Sequence, residues 1–190
     1  MGNKVSVFIN EDKEVKKFNI FPSNDVREWS TYFKKEYSDR FMTINDFEHI
    51  LQTYLNISNT NPIANDTESK LLMDDIKLIS KLIFVTLNIS NSNKVDFNEI
   101  MIGFSILTKG SFLEKVRWLF RFYDSDNDGL INKNEFIKIH TALCRILKCE
   151  NTMLFNQIFE EKTVLNFSDF EKICKKKSEN LKTISQFIYF

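Results

Sequence analysis

Twelve consecutive residues, Asp124 to Glu135, read DSDNDGLINKNE. Aspartates occupy every other position at Asp124, Asp126 and Asp128. Gly129 follows the third, and Glu135 closes the run. Carboxylates spaced this way can turn their oxygens to one side of a tight loop. Glycine takes the sharp turn that a Cβ resists. The carbonyl of Leu130, then Asn132 directly or through water, then a bidentate Glu135, complete a set of hard oxygens suited to calcium. An acidic surface turn needs neither the fixed length nor the closing glutamate. The full pattern therefore predicts one well-formed Ca2+ site.

A second run of the same length, Asn88 to Glu99, keeps the closing glutamate but loses the aspartates. It offers Asn88, Ser90 and Ser92, with Lys94 at the place that Leu130 holds and Asn93 in place of glycine. Asparagine tolerates the left-handed turn. Affinity follows ligand charge, so this loop is at most a weak metal site. It reads equally as a structural partner whose Val95 pairs with Met42. A first run, KEYSDRFMTIND, opens on Lys35 and places Tyr37 at a ligand position. A fourth, near Leu165 to Asp169, is short and lacks an aspartate triad. Neither is expected to hold metal.

These loops must be delivered by helices. Val26, Trp29, Phe33 and Phe47, Ile50, Leu51, Tyr54 recur at helical spacing on either side of the first loop, with a short β-like element at Phe41–Ile44. Leu71 to Val85 leads into the second loop, and FNEIMIGFSIL leaves it. Gly110 breaks the chain. Ser111 with Glu114 forms a capping box for FLEKVRWLFRFY, and KNEFIKIHTALCRIL follows the calcium loop. The fold class is all-α: four EF-hand helix–loop–helix units in two pairs, with short β-bridges between paired loops, because one unit cannot bury its own apolar face. The expected division is an N-terminal segment over residues 1–25, a metal-poor pair over 26–108, and a calcium-binding pair with a tail helix over 109–190.

Composition narrows the function. Lys plus Arg and Asp plus Glu both number 26, so no net positive charge is available to capture nucleic acid. Nineteen Phe against 4 Gly and 2 Pro favour helices around aromatic cores. Cys144, Cys149 and Cys174 show no framework and read as reduced thiols, pointing to a cytoplasmic setting. Only His49 and His140 are present, with no nucleophile or phosphate loop arranged around them, so no enzyme activity is expected. The first residues, MGNKVS, fit the acceptor pattern for N-myristoylation at Gly2. One acyl chain gives only marginal binding, so association with the cytoplasmic face of a membrane would be reversible.

Two stretches carry a family resemblance. REWSTYFKKEYSDRFMTINDF aligns Glu28, Trp29, Phe33, Thr43 and Phe47, and SILTKGSFLEKVRWLFRFYDSDNDGLINKNE aligns Gly110, Ser111, Glu114, Lys115, Trp118, Phe120, Tyr123 and Asp124. In these the chain resembles the neuronal calcium sensor family, the recoverin- and frequenin-like EF-hand proteins. It departs from them at Tyr37–Ser38, where the family has Cys-Pro, in its second and fourth loops, and in an Asn-rich insertion before Leu71. The resemblance implies an N-myristoylated regulator with a Phe/Trp-lined groove for an amphipathic target helix. Candidate groove residues are Trp29, Phe33, Phe47, Ile50, Tyr54, Phe84 and Phe104, although the same spacing describes a core. The leading function is a sensor that couples calcium in the third hand to target binding at a membrane. The alternatives are a constitutive, calcineurin B-like regulatory subunit with structural metal, or a soluble buffer.

Overall fold

The computed structural model describes residues 21–55, 67–148, 158–159 and 162–176. Gly2 and the tail beyond Lys176 lie outside the described residues. The elements in chain order are α1 (Ser23–Glu36), β1 (Phe41–Met42), α2 (Ile44–Tyr54), α3 (Thr67–Leu87), β2 (Val95–Asp96), α4 (Phe97–Lys109), α5 (Phe112–Tyr123), β3 (Leu130–Asn132), α6 (Lys133–Leu147), β4 (Val164–Asn166) and α7 (Phe167–Lys176). The fold is all-α, with two small antiparallel pairings that join loops one to two and three to four.

Local chemistry sets the helix starts. Thr43, Asp96, Ser111 and Asn132 each open a helix with a reciprocal capping box to Asp46, Glu99, Glu114 and Glu135. Each box satisfies two backbone donors that a helix start leaves unpaired. The first strand is shorter than the sequence suggests: Thr43 caps and Ile44 is already helical, so only Phe41 and Met42 remain extended.

In the first sheet Met42 stands opposite Val95; in the second Ile131 stands opposite Leu165. All four are buried. Each pair thus plugs the seam between two hands, and an odd-residue slip would turn these side chains outward. Helix α3 is the longest described and packs on α2, α5 and α6. One core cluster consequently runs from Phe33 and Phe47 through Ile76 and Ile79 to Phe136 and Phe170. The aromatic excess fills that core with both edge-to-face and stacked rings. Phe47 meets Phe84 at 6.0 Å, Phe120 meets Phe170 at 5.7 Å, and Tyr123 stacks on Phe136 at 4.5 Å.

Candidate metal centre and apolar cavity

Helix α5 ends at Tyr123, and the third loop begins at once with Asp124. Asp124 is nearly buried. Its carboxylate accepts from the backbone N–H of Asp128 and of Gly129, both at 3.1 Å. Asp126 accepts from Asp128 N–H at 3.2 Å, and Asp128 accepts from Leu130 N–H at 2.8 Å. These bonds curl the loop around its own carboxylates. Asn127 at φ 57° and Gly129 at φ 84° make the reversal. A Cβ at Gly129 would meet nothing within 4 Å, so its requirement is backbone conformation alone.

One oxygen each from Asp124, Asp126 and Asp128 lies within 4.8 Å of the others. Burial pushes the Asp124 carboxyl above the usual range, and the charges of Asp128 and Glu135 add to that. The two N–H donors pull the other way. Clustered carboxylates that disfavour one another's charge fit a hard dication, which would relieve the repulsion.

The other proposed ligands sit beside this cluster. Leu130 and Asn132 belong to β3, and Asn132 is also the N-cap of α6, its side-chain oxygen accepting Glu135 N–H at 2.9 Å. Glu135 accepts from Ser125 N–H at 2.8 Å, from the Ser125 hydroxyl, and from the Asn132 side-chain amide at 3.1 Å. Sequence reasoning gave Ser125 no role, because alternate loop positions are ordinarily passed over. Here it fixes the closing carboxylate.

The second loop spends its polar groups on itself. Asn88 accepts from Ser92 N–H at 3.0 Å, and the Ser92 hydroxyl donates to the Lys94 carbonyl at 2.7 Å. Glu99 receives Ser90 N–H at 2.8 Å and Asp96 N–H at 3.1 Å. Asn93 takes the glycine position at φ 59°. Asn88, Ser90, Ser92, Lys94 and Glu99 therefore form a loop closed by hydrogen bonds. In the fourth hand Lys162 pairs with Asp169 at 2.7 Å and holds its carboxyl below the usual range. In the first, Tyr37 is half-buried against Phe33 at 5.0 Å. Among the described residues, only the third loop gathers three candidate ligand side chains.

A cavity of about 300 Å³ opens between the helices. Its walls are Phe47, Ile50, Leu51 and Tyr54 of α2, Ile79, Ile83 and Leu87 of α3, and Ile100, Gly103, Phe104 and Leu107 of α4. Trp118 and Phe122 of α5 with Leu143, Ile146 and Leu147 of α6 complete it. Four of the seven proposed groove residues, Phe47, Ile50, Tyr54 and Phe104, line it. Trp29, Phe33 and Phe84 do not. Phe33 packs on Phe97 and Phe84 on Phe47, both inside the core. Trp29 sits with Phe21 and Phe104 in an aromatic triad of 5.5–6.2 Å spacings, 38% exposed. The difference has a geometric cause. One helix face feeds both core and cavity, and only crossing angles decide which residue meets which. The sequence reading also omitted the five lining residues from α5 and α6, because it assigned the groove to the first pair of hands.

No family model matches the chain. S-modulin of Aquarana catesbeiana is 27% identical over 153 residues, covering 80% of this chain and 68% of the relative. Neuronal calcium sensor 1 of Lymnaea stagnalis is 25% identical over 192 residues, covering 99% and 89%. At this level of identity the chain is similar to neuronal calcium sensor proteins and divergent from them. Guanylyl cyclase-activating protein 1 of Gallus gallus is 24% identical over 143 residues, or 73% of this chain, and the match spans only 64% of that relative's length. One of these relatives is named as a calcium sensor, a class that fits the loop chemistry above. No helix among the described residues is long and apolar enough to cross a membrane.

Proposed function

We propose that this chain is a calcium sensor whose third hand controls access of an amphipathic target helix to the cavity. The observation that carries the reading is structural continuity. Helices α5 and α6, which frame Asp124–Glu135, also contribute Trp118, Phe122, Leu143, Ile146 and Leu147 to the cavity wall. Asp124, Asp126, Asp128, the Leu130 carbonyl, Asn132 and Glu135 would hold the ion. When bound, Ca2+ supplies the positive charge that offsets these carboxylates. Glu135 sits on the first turn of α6 and Asp124 at the end of α5, so drawing the two together changes the angle between the helices. The apolar wall suits the i, i+3/i+4, i+7 face of a helix. Gly2 would carry a myristoyl group, giving reversible attachment to a membrane surface.

The test is capture of bound proteins by the full-length chain in calcium and in chelator, repeated with Ile83→Glu in the cavity wall. Calcium-dependent capture that Ile83→Glu abolishes supports the sensor. Equal capture in chelator would instead assign a constitutive subunit with structural metal.

A further inference from the structure

Two arginines tie the third hand to α3. Arg121 lies on α5, three residues before Asp124, and is half-buried. Its Nη2 donates to the carbonyls of Val85 at 2.9 Å and Asn88 at 3.1 Å. Ile89 N–H turns back to Leu87 O, so the Val85 carbonyl has no helical donor and takes the guanidinium instead. A cation there also complements the C-terminal end of the helix dipole. Asn88 is the first residue of the second loop. Arg145 lies in the last turn of α6 and holds Asp75 through two bonds, Nε to Oδ2 at 2.5 Å and Nη2 to Oδ1 at 2.7 Å. Asp75 is buried in the middle of the α3 interface.

The tethers are unequal. Arg145–Asp75 is a bidentate ion pair with one partner buried, and separating it would strand a buried charge. Among the described residues Arg121 meets only carbonyl dipoles at a helix end, where water can replace it. Val85 is ten residues beyond Asp75, about 15 Å along the axis. Ile79 and Ile83, which wall the cavity, lie between the two attachment points.

We propose that Arg145–Asp75 is a pivot and Arg121 a releasable latch, together making α3 the element that carries third-hand rearrangement to the cavity. Since the two arginines come from the two helices framing the loop, a change in angle between α5 and α6 must move α3 or break a tether. The weaker one gives way. Arg121 is thus a positioning residue that holds the second loop closed until the third is filled. The inference rests on the sensor reading for what triggers release, whereas the two tethers are contacts within this chain.

The test is amide hydrogen exchange of the full-length protein in chelator and in calcium, beside calorimetric calcium titration. Arg121→Gln in chelator should speed exchange at Asn88, Ile89 and Asn91 by roughly tenfold, within the span of local opening equilibria. Arg121→Lys should fall between it and the wild type. Wild-type protein should show the same acceleration when calcium is added, whereas Arg121→Gln should show little further change. By linkage, removing the latch should tighten calcium binding by about fivefold. Asp75→Asn combined with Arg145→Gln keeps neutral hydrogen bonding. That variant should bind calcium yet lose the change in Trp118 fluorescence at the cavity. Wild-type exchange at these three amides in Arg121→Gln under chelator overturns the latch alone. Absence of calorimetric calcium binding in the wild type overturns the sensor reading and, with it, the trigger.

Discussion

Glu135→Gln separates metal affinity from loop stability. The Glu135 carboxylate accepts from Ser125 N–H, the Ser125 hydroxyl and the Asn132 side-chain amide, and, at a long 3.4 Å, from Asn132 N–H. Glutamine has the same length and is accepted in capping boxes. It keeps one acceptor oxygen, so either the Ser125 pair or the Asn132 pair loses its partner. Asn132 is exposed, and water takes over there. The loss of folding stability should stay near 1 kcal/mol, the scale of one cap interaction. The effect on calcium is of another order. A unit charge about 4 Å from another is worth about 4 kcal/mol at an effective dielectric of about 20. Even with most of this screened, a loss above about 2.7 kcal/mol, or roughly a hundredfold in affinity, is expected. Trp118 is the reporter, since it stacks on Phe122 at 6.0 Å within the cavity wall. Trp29 would contribute a second emission and should be replaced by Phe in both proteins. A calcium midpoint within fivefold of the parent, with unchanged thermal stability, would refute Glu135 as a ligand and the charge argument with it.

Further outcomes test the fold, the protonation and the lipid. Ile131→Ala should lose about 2–5 kcal/mol in urea denaturation, because Ile131 is fully buried opposite Leu165, while Leu130→Ala on the exposed face should change little. Burial holds the His140 imidazole below its ordinary value, 3.3 Å from the Tyr123 hydroxyl. The unfolded chain therefore takes up the proton first, and this contribution is intact above about pH 6.5 and is lost as pH falls toward the folded-state value. Denaturation in chelator at pH 7.5 and 5.5 should show a smaller acid-induced loss for His140→Gln than for wild type, and equal losses would count against it. Gly2→Ala should abolish the acyl mass increase on coexpression with an N-myristoyltransferase and reduce vesicle partition; unchanged partition would remove the lipid from the account.

The starts and types of the described helices were legible because their signals are local. Ser111 and Glu114 bracket the start of α5, and the run through Tyr123 keeps one apolar face, so that helix was readable to its ends. The third loop was equally plain, since its spacing places Asp124, Asp126 and Asp128 around one point without help from distant residues. The second loop's lower ligand charge was legible from residue types alone. Its closed network, in which Ser92 reaches Lys94 O and Glu99 reaches Ser90, required coordinates. Asp75 left a clue that went unused: a carboxylate on the buried face of an apolar helix calls for a cation. Its partner is 70 residues away, and sequence spacing carries no information on that distance.

By itself the sequence determined that helical hands exist, that the third carries the ligand pattern of a hard divalent ion, and which residues bridge the paired loops. These depend on periods of two and 3.6 and on side chains within a dozen residues of one another. Only the tertiary structure decided that α3 crosses both halves, that α5 and α6 floor the cavity, and that Trp29, Phe33 and Phe84 stand outside it. Helices with the same apolar stripe can cross at several angles. The stripe says that a face is buried, and only the crossing says against what.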